Sequence, residues 1–453
     1  MLKRSLSIML TFSILMSIFV VAPAVSNAAD GLEPSTGPLG PNVYVFDQNT
    51  PASDIQRITA EVFKRQEASE FGNDRYALFF KPGTYQTDIR VGFYTHVAGL
   101  GQSPDDVTIK GDVTVDALWW NQPVGNATKN FWRSAENFTI EPTSVSNKWA
   151  VAQAVPFRRM HVKGDLKLHD GGWASGGYMA DSKVDGRVEA GGQQQWFSRN
   201  SVMNDWSGGQ WNNVFLGDNF GTSPANTWPA TPNTIVNQTP INREKPFLTV
   251  DGSGAFQVFV PGLQSNTKGT SWSGGASQGK SIPLDQFYVA SPDKSDAATI
   301  NAALAAGKNL LLTPGIYHLN DTIRVTRPDT VVLGIGFATL MPHNGVVALS
   351  VDDVDGVTIA GLLFDAGSES SPALMEVGPS GSSKDHSANP TLLQDLFFRV
   401  GGGPVVGRAD TSIKINSNNV IGDHFWVWRA DHGTDVKWNL NTTTNGLVVN
   451  GMM

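Results

Sequence analysis

One short pattern occurs twice in this chain and constrains its architecture. Residues 78–91 read LFFKPGTYQTDIRV, and residues 311–325 read LLTPGIYHLNDTIRV. Each is a short apolar strand, a Pro-Gly-x-Tyr turn, a few polar residues and an Ile-Arg-Val strand. Pro82 and Pro314 set the offset at 232 residues. Upstream, Ser53 opens Ser-Asp-Ile-Gln, a capping-box pattern before a helix with Ile55, Ile58, Val62 and Phe63 on one face. Ser295 and Asp296 open a second helix, with Ile300 and Leu304 apolar and Gly307 placed to stop it. Downstream, Gly99-Leu100-Gly101 matches Gly334-Ile335-Gly336. Helix, strand, turn and glycine pair recurring in one order imply two related modules. After a leader at 1–28, the first is expected over 29–285 with its linker, and the second over 286–453. The stretch QSNTKGTSWSGGASQGKS (264–281) has the composition of a linker or long loop.

Past each opening helix the chain shows short strand-like runs broken by Gly, Asn and Asp. Val107, Ile109 and Val113 alternate with polar residues, as do Val357 and Ile359. Such runs recur in places at a period that marks solenoids or propellers. The fold class expected is all-β: two tandem right-handed parallel β-helix domains of the pectin-lyase-like type, each with a short N-terminal capping helix. Gly, Asn and Asp at the corners supply left-handed conformations. A β-sandwich or propeller is the alternative, but no blade period is visible.

Composition narrows function. The chain has no cysteine, which excludes disulfides, thiolate chemistry and Cys-ligated zinc. Its net charge of −8 argues against a nucleic-acid binder. Lys3 and Arg4 precede an apolar run from Leu6 to Val21 and small residues at Ser26 and Ala28, which predicts an export signal cleaved after Ala28. An uncleaved membrane anchor is the alternative reading. Either way the body of the protein is expected outside the cytoplasm, secreted once the leader is removed.

Several long strings then carry a family resemblance. GPNVYVFD (40–47), LFFKPGTY (78–85), VGFYTHVAGLGQSPDDVTI (91–109), NFWRSAENF (130–138), FRRMHVKGDL (157–166), GGWASGGYMADSKV (171–184), QQQWFSRN (193–200) and FWVWRADHG (425–433) resemble glycoside hydrolase family 55. The resemblance spans nearly all of residues 38–452. It implies a secreted β-1,3-glucanase acting on laminarin-like glucans, mostly from the chain end, with two β-helices side by side. It also implies inverting hydrolysis with no metal and no organic cofactor. The expected partner is a β-1,3-glucan polysaccharide or oligosaccharide, with no nucleic acid, no membrane after signal cleavage, and a monomeric state. In inverting chemistry one carboxylic acid protonates the leaving oxygen while water attacks from the opposite face.

The resemblance makes Gln153 and Ser175 the groups that hold the attacking water. A neutral amide and a hydroxyl can orient water, though both residues can equally serve coil corners. Trp428 and Asp431 are implied contacts of the terminal sugar, with His432 beside them. Along a strand Trp426 and Trp428 share one face, and Phe425 and Val427 the other. In the run 193–196, Gln193 and Gln195 would share one face for sugar hydroxyls, with Gln194 and Trp196 opposite. Asp423 and His424 carry less weight. Asp352, Asp353 and Asp355 are weak evidence for calcium.

The second module is shorter than the first, which gives the expectation of absent coils. The resemblance places the family's general-acid glutamate beyond Met453, so little glucanase activity is expected. Glu369 and Glu376 lack the family's surrounding motif. Two other classes remain open: a non-catalytic glycan-binding or surface solenoid, and a β-helix polysaccharide lyase, which the low Lys/Arg count disfavours.

Overall fold

Nine parallel strands form the long wall of the first stack. In order they are Val43–Phe46, Tyr76–Phe80, Thr95–Gly99, Arg133–Glu136, Pro156–Arg158, Tyr178–Ala180, Gln195–Arg199, Asn212–Leu216 and Asn233–Val236. Each pairs with the strand one coil later, for example Phe157 with Met179 and Phe197 with Val214. This computed structural model describes residues 32–117, 125–275, 277–433, 436 and 440–452. The expected export signal lies outside them. A second stack begins at Phe287–Ala290 and continues through Asn309–Leu312, Val331–Gly334, Thr358–Asp365, Thr391–Val400 and Val420–Arg429, again parallel. The architecture is two tandem parallel β-helices.

The repeated motif builds the same corner twice. Gly83 and Gly315 take φ of +148° and +151°, where a side chain would be strained. Tyr85 then points back, its hydroxyl donating to the Lys81 carbonyl at 2.8 Å and lying 3.3 Å from the Phe46 carbonyl. Tyr317 does the same with the Thr313 carbonyl at 3.0 Å and the Ala290 carbonyl at 2.8 Å. Each tyrosine therefore ties its turn to the end of the preceding coil.

Helix α1 spans Ala52–Gln66 and α2 spans Ala297–Ala305. Asp296 caps α2 by accepting from the Thr299 amide, and Gly307 follows at φ +90°. The capping box expected at Ser53 does not form. Pro51 is the N-cap of α1, without a side-chain cap bond, because its fixed backbone geometry starts the helix two residues earlier. The buried face of α1 is Ile55, Thr59, Val62 and Gln66, whereas Ile58 and Phe63 are half-buried. Gln66 replaces the expected apolar anchor: its amide donates to the Asp74 and Phe93 carbonyls.

The stretch 264–281 is not a free linker. Gln264–Thr267 pairs antiparallel with Thr239–Asn242, and Gly279–Pro283 with Phe256–Pro261. Trp272 is buried between them, its indole donating to the Asp181 carbonyl at 2.7 Å. Gly/Ser composition permitted this packing without announcing it.

The two long sheets meet face to face. Ala77, Phe79 and Ala98 of the first stack share an apolar cluster with Leu311, Leu333 and Ala360 of the second. Strands there are buried on both faces, so Tyr76–Phe80 reads as one continuous apolar run. After five successive strands the first stack turns through a left-handed residue: Asn137, Arg159, Asp181, Asn200 and Gly217. Arg159 is unusual there. It is held by Asn137, Asp181 and the Gln102 carbonyl, contacts that offset the strain of a large side chain at positive φ.

Candidate functional site

A cavity of about 460 Å³ opens where the seam leaves the packed sheets. The first stack supplies Gln153, Tyr178, Gln195, Trp196 and Asn212, and the second supplies Asp423, His424 and Trp426. The first-stack residues recur because each enters its long-wall strand at the same corner, one coil after another. Gln153 precedes Pro156–Arg158, Ser175 precedes Tyr178–Ala180, and Gln195 and Asn212 open their own strands.

Gln153 and Ser175 are brought into direct contact. The Gln153 amide donates to the Ser175 carbonyl at 2.8 Å, and its Oε1 accepts from the Ser175 hydroxyl at 2.7 Å. That hydroxyl also lies 3.0 Å from the Thr128 carbonyl, giving its one proton two alternative acceptors. Both residues are half-buried. Gln153 lines the cavity, and Ser175 is bonded to it next to the lining residue Gly176; a neutral, bond-swapping amide–hydroxyl pair there is suited to fixing a water molecule.

Gln193 and Gln195 do not share a face. The chain breaks between the strands at Gln194, so Gln193 turns inward and Gln195 outward. Gln193 is fully buried, donating to the Val151 and Leu168 carbonyls and accepting from the Gly176 amide. It cannot meet a ligand, and its assignment as a sugar contact is corrected on that ground. Gln195 is exposed and lines the cavity.

Trp428, Asp431 and His432 form a second group, adjoining the cavity through Trp426. Trp426 and Trp428 share a face as the strand reading requires, with ring centroids 5.1 Å apart and planes at 12°. Phe425 and Val427 point into the second stack's core. Trp428 also stacks on Phe71 at 6.2 Å, so much of its ring already has packing partners. His432 lies 2.6 Å from Asp431 Oδ1 and 2.6 Å from Glu70 Oε1. Burial opposes its charge, but the two carboxylates prevail and raise its pKa.

The floor of the cavity is a buried ionic network that the sequence reading underrated. Asp423 accepts from Tyr178 at 2.6 Å, Arg199 at 2.9 Å and Arg158 at 3.2 Å. Burial alone would raise its pKa, yet Arg199 and Arg158 hold it well below the usual carboxylate range. Asp423 therefore stays ionised and cannot donate a proton. His424 stacks on Tyr178 at 4.1 Å and bonds Asp395 at 2.8 Å, and burial lowers its pKa. Only the packing of one stack against the other reveals the partners of Asp423, which come from sites over 200 residues away in sequence. Carboxyls raised to about 7 by burial, Asp181 and Asp218, lie elsewhere in the first stack. Among the described residues, no protonated carboxyl lines the cavity and no group of three or more His, Cys, Asp or Glu is arranged to hold a metal.

Comparison with known proteins identifies the lineage. The family model of the LAM55 pectate lyase-like domain matches residues 287–452. A curated exo-β-1,3-glucanase from Streptomyces sp. (strain SirexAA-E / ActE) is 56% identical over 419 residues, covering 92% of this chain and 67% of the relative. The chain belongs to glycoside hydrolase family 55. The solved structure of sacteLam55A from Streptomyces sp. SirexAA-E superposes on this family 55 chain with a TM-score of 0.88 at 55% identity, covering 93% of this chain and 75% of the other. A variant of that protein in complex with glucose gives a TM-score of 0.88 at 55% identity, covering 92% and 75%.

Proposed function

We propose that this family 55 chain takes the end of a β-1,3-glucan into the cavity and orients water for inverting, exo-type hydrolysis. The contact between Gln153, which lines the cavity between the two β-helices, and Ser175 carries this reading. Trp426 offers an apolar face to the C–H side of a pyranose, and the amides of Gln195 and Asn212 can meet hydroxyls. The names of the Streptomyces relatives, one bound to glucose, support a β-glucan as substrate class. The chain is exported through its N-terminal leader and works as a monomer outside the cell. N-terminal sequencing of exported protein, starting at residue 29, would support the leader assignment; a start at Met1 would oppose it.

One observation favours a second reading, glycan binding with little turnover. The carboxylate on the cavity floor, Asp423, is held ionised, so leaving-group protonation has no carboxylic-acid donor among the described cavity residues. The lyase class gains nothing, because Arg158 and Arg199 are committed to carboxylates.

β-Glucosyl fluoride separates these readings, since its leaving group needs little protonation. Release of α-glucose, followed by NMR, is expected, with Gln153→Ala and Ser175→Ala each slower by about 100-fold. Initial release of β-glucose, or variants as fast as the parent, would refute the water-holding role. Laminarin binding without fluoride turnover would establish the second reading.

A further inference from the structure

A second cavity, of about 300 Å³, shares no lining residue with the first. One wall is the corner where the second stack enters its long sheet. Thr358 opens one strand there, and Asn389 stands two residues before the next. The other wall is the antiparallel ribbon of Phe256–Pro261 and Gly279–Pro283, in which Val260 pairs with Lys280. Three polar groups of this lining lack partners. Arg243 donates through Nη2 to Asn389 Oδ1 at 3.0 Å, but its buried Nε has no acceptor. Thr358 is buried, and its hydroxyl bonds nothing. Lys280 is exposed, and its side chain makes no ion pair or hydrogen bond among the described residues. The one lining carboxylate, Asp329, already accepts from Asn389 Nδ2 at 2.8 Å. Cations therefore exceed acids in this cavity, although the whole chain carries a net charge of −8. Burial lowers the pKa of Arg243, and Asp329 offsets that only in part.

We infer that this second cavity binds a small hydroxylated anion one sugar ring in size, a sugar acid or a sugar phosphate. The inference stands independently of the glucan reading above. The volume lies at the lower limit of small-molecule sites, which is more than a bare ion fills and enough for one ring. None of the described lining residues is aromatic, so nothing there stacks a nucleobase. Val260, Pro261 and Val331 offer apolar surface to ring C–H groups. A guanidinium and an ammonium suit carboxylate or phosphate oxygens, and the Thr358 hydroxyl is left for a ring hydroxyl. The site is also set before any ligand arrives. The Arg243 carbonyl accepts from the Gln394 amide at 2.8 Å, and the next two residues are held by ion pairs, Glu244 to Arg199 and Lys245 to Glu136. Gly356 takes φ +71°, and a Cβ there would lie 2.2 Å from Asn389 Nδ2 and 2.3 Å from Asp329 Oδ1. Glycine therefore makes room for the Asn389–Asp329 bond that orients the partner of Arg243. A positioned cation needs little reordering on binding.

Calorimetric titration of the full chain tests this with four probes: glucuronate, glucose 6-phosphate, glucose and inorganic phosphate. At least one of the two charged sugars is expected to bind, and which one does identifies the anionic group. Glucose, which lacks the charge, should bind about tenfold more weakly or worse, and inorganic phosphate should bind more weakly than glucose 6-phosphate. Arg243→Met should weaken the charged sugar about tenfold or more, the effect of losing a hydrogen bond to a charged group. Lys280→Met should weaken it about threefold, as befits an exposed cation. Because Lys280 holds no other side chain, that variant decides the matter if Arg243→Met fails to fold. A parent that binds neither charged sugar overturns the inference, as does glucose binding as tightly as they do. Inorganic phosphate binding as tightly as glucose 6-phosphate would make this a bare-anion site and overturn the sugar assignment. Binding that both variants leave unchanged would place the ligand elsewhere, the larger cavity included, and overturn the site. Laminarin binding or turnover has no bearing on any of these outcomes, so failure here leaves the glucan reading standing.

Discussion

Arg158 and Asp395 lock the two β-helices together across the seam. The guanidinium Nε lies 3.1 and 2.8 Å from the two carboxylate oxygens, and Nη2 lies 2.8 Å from Oδ1. Both residues are almost wholly buried. Burial alone would raise the pKa of Asp395, but Arg158, Lys245 and His424 hold it well below the carboxylate range. Arg158→Met leaves Asp395 with only Lys245 and His424 to balance it. Removing one partner of a buried pair costs about 3–5 kcal/mol, and those residual partners place this case near the lower end. Urea unfolding checks the value. The double variant Arg158→Met, Asp395→Leu is expected to recover part of the loss, because no charge is then stranded. A single variant as stable as the parent would show that the apolar seam alone holds the stacks.

The twin tyrosines make a second, internal comparison. Tyr85 and Tyr317 occupy equivalent corners, but Tyr317 has the shorter bond to the preceding coil, 2.8 Å against 3.3 Å. Tyr317→Phe should cost about 1 kcal/mol, the net worth of a buried hydrogen bond, and Tyr85→Phe somewhat less. Thermal denaturation of the two single variants would check the order. A reversed order would mean that the turn bonds to Lys81 and Thr313 matter more than the ties between coils.

What could be read from the sequence followed from repetition. The Pro-Gly-x-Tyr corners, the cap at Asp296 and the alternation of Val107 with Ile109 are local patterns, and local patterns survive into the fold. The facing of Trp426 and Trp428 was legible for the same reason, since period 2 needs only a strand. What escaped depends on which coil lies beside which. Gln193 reads as a strand residue paired with Gln195 until the break at Gln194 separates them. Asp423 reads as an unremarkable acid until the seam brings Arg158 and Arg199 against it. Trp272 lies in a string that composition alone marks as linker, and only its bond to Asp181 shows a docked segment.

A third prediction concerns pH. His386 is clamped between Asp355 at 2.6 Å and Asp353 at 2.9 Å. Burial disfavours its charge, but both carboxylates outweigh that and raise its pKa. A histidine raised in the folded state adds stability that is fully present below its unfolded value, about 6.5, and is lost as pH rises through the folded value. His432, also raised, acts in the same direction. His96 opposes them on the acid side, because burial pushes it down to about 4 and its resistance to protonation costs stability as pH falls below about 6.5. The melting temperature of the parent should therefore decline as pH rises above about 6.5. His386→Asn should be less stable at pH 6 and show a shallower decline. Parallel curves for parent and variant would mean that His386 is neutral in its clamp.

The fourth prediction returns to the cavity wall. Gly177 sits beneath the indole of Trp196, and a Cβ there would lie 2.2 Å from ring carbon Cζ3. The backbone at Gly177 needs no left-handed conformation, so the glycine is required by space rather than by φ. Trp196 is 2% exposed and forms part of the cavity lining, so it has little room to yield. Gly177→Ala should force the ring to shift, at about 1–3 kcal/mol for overpacking. Because the displaced indole enters the space where a sugar would lie, laminaribiose affinity should fall as well. Adding Trp196→Phe, which shortens the ring, should restore stability and part of the affinity. If Gly177→Ala lowers stability yet leaves disaccharide binding intact, the ligand does not occupy the part of the cavity beside Trp196, and the sugar must lie closer to Trp426.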